Sequence, residues 1–504
     1  MAKILVIGAG VGGLTAAALL AKAGHDVTVL EAHTYAGGCA GTFYHKGFRF
    51  DAGATLAGGF QPGGPHEIVA RRLGITWPVK RVEPAWTVLL PDRTVVRYGD
   101  MDKWRAERAA QVPALRRFWD LQERTADVVW RFAARLPEWP PVTLPDLARF
   151  ALKIRPEMLP IAPMALGTLG NVLDLLGVHD RAARTFIDAQ LIISAQVTAS
   201  AANALYGMIS MDLPRAGAHH VRGGIGGIAQ TLADALVREG GKIIYRQEVT
   251  KIDVENGRVV RVHTNKKQSY EADLFLGNLT PWVLNGLLAE SAPQRLQREV
   301  AGRKSTWGAF TLYLGVPADK LNTHDDHFQI VKDYSKPLGE GNSVFVSLSD
   351  ADDPMRAPAG YRAVTMSTHT HIERWWELRE RDPEAYKALV ADYRDRLLDG
   401  AERAIPNLRD HATLIMPGTP HAFEYYTGRT GGMVGGFPQT SLLKARGPHT
   451  GIPNLCLVGD SVFPGQSTAG VTAGALRVAA EVQRVAERVG PRVVARPVNI
   501  AAGD

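Results

Sequence analysis

The chain opens on an apolar block, Ile4-Leu-Val-Ile7, long enough for a strand covered on both faces. A glycine-rich break follows, Gly8-Ala-Gly10-Val-Gly12-Gly13, and from Leu14 the pattern predicts a helix. A second apolar strand, Asp26-Val-Thr-Val-Leu30, stops at Glu31. Further on, Val82 to Tyr98 alternates apolar and polar around Leu89-Leu-Pro-Asp-Arg, which predicts a hairpin, and Trp104 to Leu136 predicts a helix with a charged face. A helix from Ile228 to Arg238 leads to strands at Lys242–Tyr245, Val249–Val254 and Val259–Thr264. The Asn256-Gly257 dipeptide between the last two is a hairpin signal. A strand at Ala309–Val316, helices near Glu373–Arg379 and Pro383–Ala404, and a strand at Leu455–Val458 complete the outline.

The first unit has the arrangement that holds the ADP half of a dinucleotide. Gly8 allows the tight turn, Gly10 lets the backbone approach a pyrophosphate, and Gly13 lets the helix pack on the strand. Amides at the helix start face phosphate. Glu31 follows at the distance where a carboxylate accepts from ribose hydroxyls. A glycine-rich turn without a ligand leaves that acid unexplained.

A second cluster comes at once: Gly37-Gly38-Cys39-Ala-Gly41-Thr42-Phe43, then Gly47-Phe-Arg-Phe-Asp51-Ala-Gly53-Ala54-Thr55. Two later blocks go with it. One is Gly217-Ala-His219-His220-Val-Arg-Gly223-Gly224-Ile-Gly226-Gly227, and the other is Gly459-Asp460-Ser-Val-Phe-Pro464-Gly465-Gln466 with Ala469-Gly470-Val471. Together they resemble the FAD-dependent carotenoid desaturase/isomerase family, within the group that includes amine oxidases. The stretch Phe423 to Gln439 points the same way. The resemblance implies an α/β fold: a Rossmann-type FAD-binding domain of the glutathione-reductase/amine-oxidase kind with an inserted α+β substrate domain. It assigns 1–75, 211–275 and 451–504 to the cofactor domain, and 76–210 and 276–450 to the substrate domain. It implies non-covalent FAD held by Gly8, Gly10, Gly12, Gly13, Glu31, Ala32, Gly38, Cys39, Gly53, Ala54, Thr55, Val249, Gly459, Asp460, Gly470 and Val471. Gly470-Val471 is expected to open the last helix, whose N-terminus favours negative charge on the reduced ring. One position departs. Many relatives carry Arg directly after the paired glycines, where this chain has Cys39, so the charge falls to Lys46, Arg49 or the backbone.

Size and charge narrow the picture modestly. With 504 residues there is room for two or three domains, and two cysteines exclude a disulfide framework and suit a reducing cytoplasm. The net charge of +7 comes without basic clusters interleaved with aromatics, so nucleic acid is not an expected partner; the charge reads either as an ordinary basic background or as attraction to anionic lipid headgroups. The N-terminus imitates a secretory signal, but the glycine spacing and the strand to Glu31 favour a retained element. Nothing reaches the ~20 apolar residues of a membrane span. The stretch 147–177 is strongly apolar yet broken by Pro156, Pro160 and Pro163. It reads either as amphipathic pieces lying in a membrane interface or as a packed helix pair.

The implied reaction removes two hydrogens from a carbon–carbon bond beside a polyene, with the flavin taking the hydride. The partners are then a hydrophobic polyene, a membrane surface, and a quinone or molecular oxygen as electron acceptor. No metal site is expected, because the adjacent His219 and His220 point to opposite faces of a strand. His219, His220, Glu424 and Tyr425 are the candidates for the leftover proton, histidine fitting best near neutral pH. Trp282, Trp307, Phe310, Tyr425, Tyr426 and Phe437 either line an apolar tunnel or form plain core. Alternatives are cis–trans isomerisation with reduced FAD, ketolation, amine oxidation, and a flavin-free escort of prenylated proteins.

Overall fold

The computed structural model describes residues 1–303 and 306–489; the remainder of the expected 451–504 stretch lies outside the described residues. Five parallel strands form the first layer: β1 (Lys3–Ile7), β2 (Asp26–Leu30), β3 (Lys242–Ile244), β4 (Leu274–Gly277) and β5 (Leu455–Leu457), in the order β5-β4-β1-β2-β3. β1 is central, with Ile4 opposite Leu274 on one side and Val27 on the other. Its unbroken apolar run follows from burial on both faces. Helices α1 (Val11–Lys22), α2 (Gly226–Arg238) and α3 (Ser467–Val489) pack on this sheet and on one another. Ala16, Ala17 and Ala18 of α1 are fully buried, and their small side chains let the neighbouring helices close in. β4 is an apolar run of four residues cut by the expected domain boundary at 275; Asp273 and Asn278 bound it, but it is too short to show a period.

The second layer is a seven-stranded, mainly antiparallel sheet ordered 414–418, 308–317, 361–370, 343–348, 327–331, 86–89, 94–97. Helix Pro383–Ala401 covers it through Leu389, Tyr393, Leu397 and Leu398. The expected hairpin is its edge, with Val88 paired to Val95. A separate antiparallel hairpin joins Val249–Glu255 to Arg258–Thr264 through Asn256 and Gly257, both at positive φ.

Three expectations change. The helix expected over 104–136 is two, Met101–Gln111 and Arg116–Ala133, because Pro113 lacks the amide that would continue the ladder. The last helix begins at Ser467 rather than at Gly470, so Gly470 and Val471 lie inside its opening turns. The stretch 147–177 divides. Helix Leu144–Lys153, closed by a Thr143–Asp146 capping box, and the 3-10 segment Pro156–Leu166 bury no residue, whereas Leu169–Leu175 packs Leu169 and Leu173 into the core. Among the described residues no helix is long and apolar enough to cross a membrane.

Candidate flavin site

The turn between β1 and α1 leaves no room for side chains. A Cβ on Gly13 would stand 2.4 Å from the Gly8 carbonyl, and one on Gly10 would stand 2.4 Å from Nδ2 of Asn278. No side chain caps α1, so its first amides remain available to an anion. At the end of β2, Glu31 accepts from the Ala9 amide at 2.7 Å through Oε2 and from the His33 amide at 2.7 Å through Oε1. Those bonds aim the carboxylate across the glycine turn and leave lone pairs for ribose hydroxyls.

Two further turns close on the same point. The Gly37 amide donates to the Ala9 carbonyl at 2.9 Å, which brings Gly38 and Cys39 over Gly10. From the opposite side, a Cβ on Gly12 would meet the Gly459 Cα at 2.9 Å, so the turn after β5 abuts α1. Asp460 follows, and its Oδ2 accepts from Nη1 of Arg429 at 2.7 Å. Arg429 also donates to the carbonyls of Met433 and Gly435. Burial pushes the Cys39 thiol above its ordinary value, and Asp460 adds to that while Arg429 works against it. Burial opposes the Arg429 charge, but Asp460 and Cys39 outweigh it and hold the guanidinium firmly protonated. Lys46 sits exposed in a hairpin turn and the Arg49 guanidinium lies by Gly223, so the cation beside Cys39 is Arg429.

This donor set fits FAD. Uncapped helix amides suit a diphosphate, Glu31 suits a ribose, and the carboxamide of Asn278, which no described group hydrogen-bonds, faces the glycines. Asn278 and Arg429 escaped sequence reasoning. The first follows a strand too short to show a period; the second lies in the stretch Phe423 to Gln439, far along the chain from Cys39.

A family model described as flavin containing amine oxidoreductase matches residues 11–483. Prolycopene isomerase 1 of an Oncidium hybrid cultivar is 30% identical over 96% of this chain and 84% of its own length. A 4,4'-diapophytoene desaturase of Methylomonas sp is 26% identical over 92% and 91%. The chain belongs to the flavin-containing amine oxidoreductases, in their carotenoid desaturase/isomerase branch. An oxidoreductase structure from Methanosarcina mazei shares the fold, with a TM-score of 0.64, 20% identity and coverage of 94% of this chain and 99% of that one. The cofactor of this flavin enzyme is FAD.

The other expected residues of this oxidoreductase scatter. Gly53 abuts the Cys39 carbonyl, with Ala54 and Thr55 beside it and partly open to solvent. Ala32 follows Glu31 at the sheet's carboxyl edge, and Val249 is buried at the start of its strand. His219 exchanges backbone hydrogen bonds with Ala57, and its Nδ1 is buried without a partner; burial lowers its proton affinity. On the other face of the strand, His220 meets Asp326 at 2.9 Å. Burial alone would raise the Asp326 carboxyl, but His220 and Arg362 hold it down at about 2. Glu424 accepts from the Gly431 amide at 2.7 Å, and Tyr425 is 76% exposed. Of the aromatics, Phe310 is core, stacked on Trp375. Trp282 packs on Phe437, Trp307 lies against His371, and Tyr426 faces solvent.

Proposed function

We propose that this flavoenzyme desaturates a carotenoid polyene drawn from a membrane surface. The relatives named as desaturases of diapophytoene and phytoene support the substrate class and the reaction. Bound FAD supplies the hydride acceptor, and a quinone or molecular oxygen takes its electrons onward.

The observation that carries this reading is how the exposed apolar surface is tied to the cofactor helix. Leu144, Leu152, Leu159 and Leu166 are 82%, 76%, 66% and 77% exposed, beside Lys153 and Arg155. Lys153 is paired with Glu138 at 2.7 Å but Arg155 is exposed, and exposed apolar side chains beside such a cation suit the headgroup boundary of an anionic bilayer. Arg477 of α3 donates to the Trp139 carbonyl at 2.8 Å, and the Trp139 indole donates to the Leu442 carbonyl at 2.9 Å. A polyene leaving the bilayer here meets the element whose first turn lies beside Asp460. Asp460, Gly470 and Val471 then border the flavin. His219, kept neutral by burial, is the base for the leftover proton. The enzyme works as a peripheral protein on the cytoplasmic face.

Isomerisation is the second reading, favoured by four relatives of 27% to 30% identity named prolycopene isomerases. Pigments from a carotenoid-producing host expressing the chain, analysed by mass spectrometry and chromatography, separate the two. Products lighter by pairs of hydrogens mark desaturation. A shifted retention time at unchanged mass marks isomerisation. Unaltered pigments from a host containing the yellow holoenzyme overturn both.

A further inference from the structure

Arg429 enters the flavin site from the substrate side of the molecule. It follows helix Pro420–Thr427 and its Gly428 cap, and begins a loop that runs to Gln439. Its side chain is largely buried, at 12% exposure. Of the five N–H groups of a guanidinium, Met433, Asp460 and Gly435 account for three, and the Cys39 thiol lies close enough to feel its charge. Its partner Asp460 follows Gly459, which abuts Gly12; its neighbour Cys39 follows Gly38, which lies over Gly10. A cation therefore sits where the three glycine turns converge, and the convergence is lined on its other sides by uncapped amides and the carboxylate of Glu31.

We infer that Arg429 is the positioning residue for the diphosphate end of FAD, supplying from a distant segment the positive charge that the side chain of Cys39 cannot. Two carboxylates border this corner, Glu31 and Asp460, and both would repel a diphosphate that the amides alone must hold. Pairing with Arg429 neutralises Asp460 and lets its backbone and carboxylate stand close to the cofactor. The same bonds lock the 429–435 loop: Gly436 is pressed so tightly on Asp460 that a Cβ there would stand 2.0 Å from the Asp460 carbonyl. The loop on the substrate side and the cofactor thus share one ion pair.

The test compares charge with shape. Arg429→Gln keeps amide donors for the Met433 and Gly435 carbonyls but removes the charge; Arg429→Lys keeps the charge but loses the fork. FAD affinity is read by fluorescence titration of apoprotein, with circular dichroism and the apoprotein melting temperature as fold controls. The expected result is a dissociation constant raised about tenfold or more in Arg429→Gln and by roughly threefold or less in Arg429→Lys. The double variant Cys39→Arg/Arg429→Gln returns the guanidinium from the other side and recovers most of the lost affinity. Equal affinities of Arg429→Gln and wild type overturn the inference, as does a double variant that folds yet stays as weak as the single. Loss of fold in both single variants overturns it as well, because the pair then holds the loop rather than the cofactor. Wild-type protein that binds no FAD would instead refute the flavin site itself.

Discussion

The carboxamide of Asn278 occupies the space beside Gly10 so fully that a Cβ on the glycine would stand 2.4 Å from Nδ2. The relationship couples β4 to the first turn of the chain across a long stretch of sequence. Gly10→Ala must therefore displace Asn278, the turn, or both. The expected outcome is a folded but colourless protein, with FAD affinity down by about a hundredfold or more. Gly286→Ala is the control. That glycine lies in helix Pro281–Leu288 with open space around it, so the change should retain FAD and stabilise the fold by roughly 0.5–1 kcal/mol. Flavin absorbance and thermal melting read both.

Asp51 is buried and accepts from Arg356 at 2.9 Å, Thr42 Oγ1 at 2.7 Å and the Ile225 amide at 2.9 Å. It joins the loop carrying Arg356 to the start of α2. Asp51→Ala leaves the guanidinium buried and unpaired, a loss of about 3–5 kcal/mol. Denaturant unfolding should show a lower midpoint, and Arg356→Met should cost less than Asp51→Ala, since the carboxylate keeps two of its three donors.

Burial drives the proton affinity of His66 down to about 3, with His219 adding a little. The unfolded value is the ordinary 6.5, so the unfolded chain binds this proton first as pH falls. The sign follows: stability is full above about pH 6.5 and declines toward pH 3, by at most about 1.4 kcal/mol per unit. His369, held down to about 4 by burial, acts in the same window. In melting curves taken at successive pH values, His66→Phe should flatten the acid limb. An unchanged slope would show that His66 is not the group responsible.

Liposome flotation tests the exposed apolar surface. Each leucine fully withdrawn from water contributes roughly 2 kcal/mol. Replacing Leu144, Leu152 and Leu159 with Asp should abolish flotation on anionic vesicles. None of the three is buried, so the melting temperature should stay within a few degrees. Replacing the fully buried Leu169 instead should lower the melting temperature.

What could be read from the sequence was local. β1, the glycine turn, β2 and the Asn256-Gly257 hairpin follow from periodicity and turn chemistry within a few tens of residues. The place of Glu31 at the end of β2 was legible for the same reason. Asn278 and Arg429 were not, because their roles come from what lies opposite them. Asn278 caps a strand too short to show a period, and Arg429 meets Cys39 and Asp460 only after the loops fold together. The late start expected for α3 has a local cause as well. Gln466 and Ser467 take positive φ, so the helix turns in at a point that propensity disfavours. Tyr425 is a chemically apt residue whose position on its helix faces it outward, which periodicity over so short a helix does not reveal.

The interleaved order of the parallel sheet governs when the enzyme acquires its colour. β1 emerges from the ribosome at once, but its neighbour β4 comes only at Leu274, and the turn that abuts α1 only at Gly459. β1 has both its neighbours by residue 277, but the first turn of α1 meets Gly459 only after the whole seven-stranded layer has been made. Translation products that end before Gly459 should therefore be colourless, which flavin absorbance of truncated chains checks.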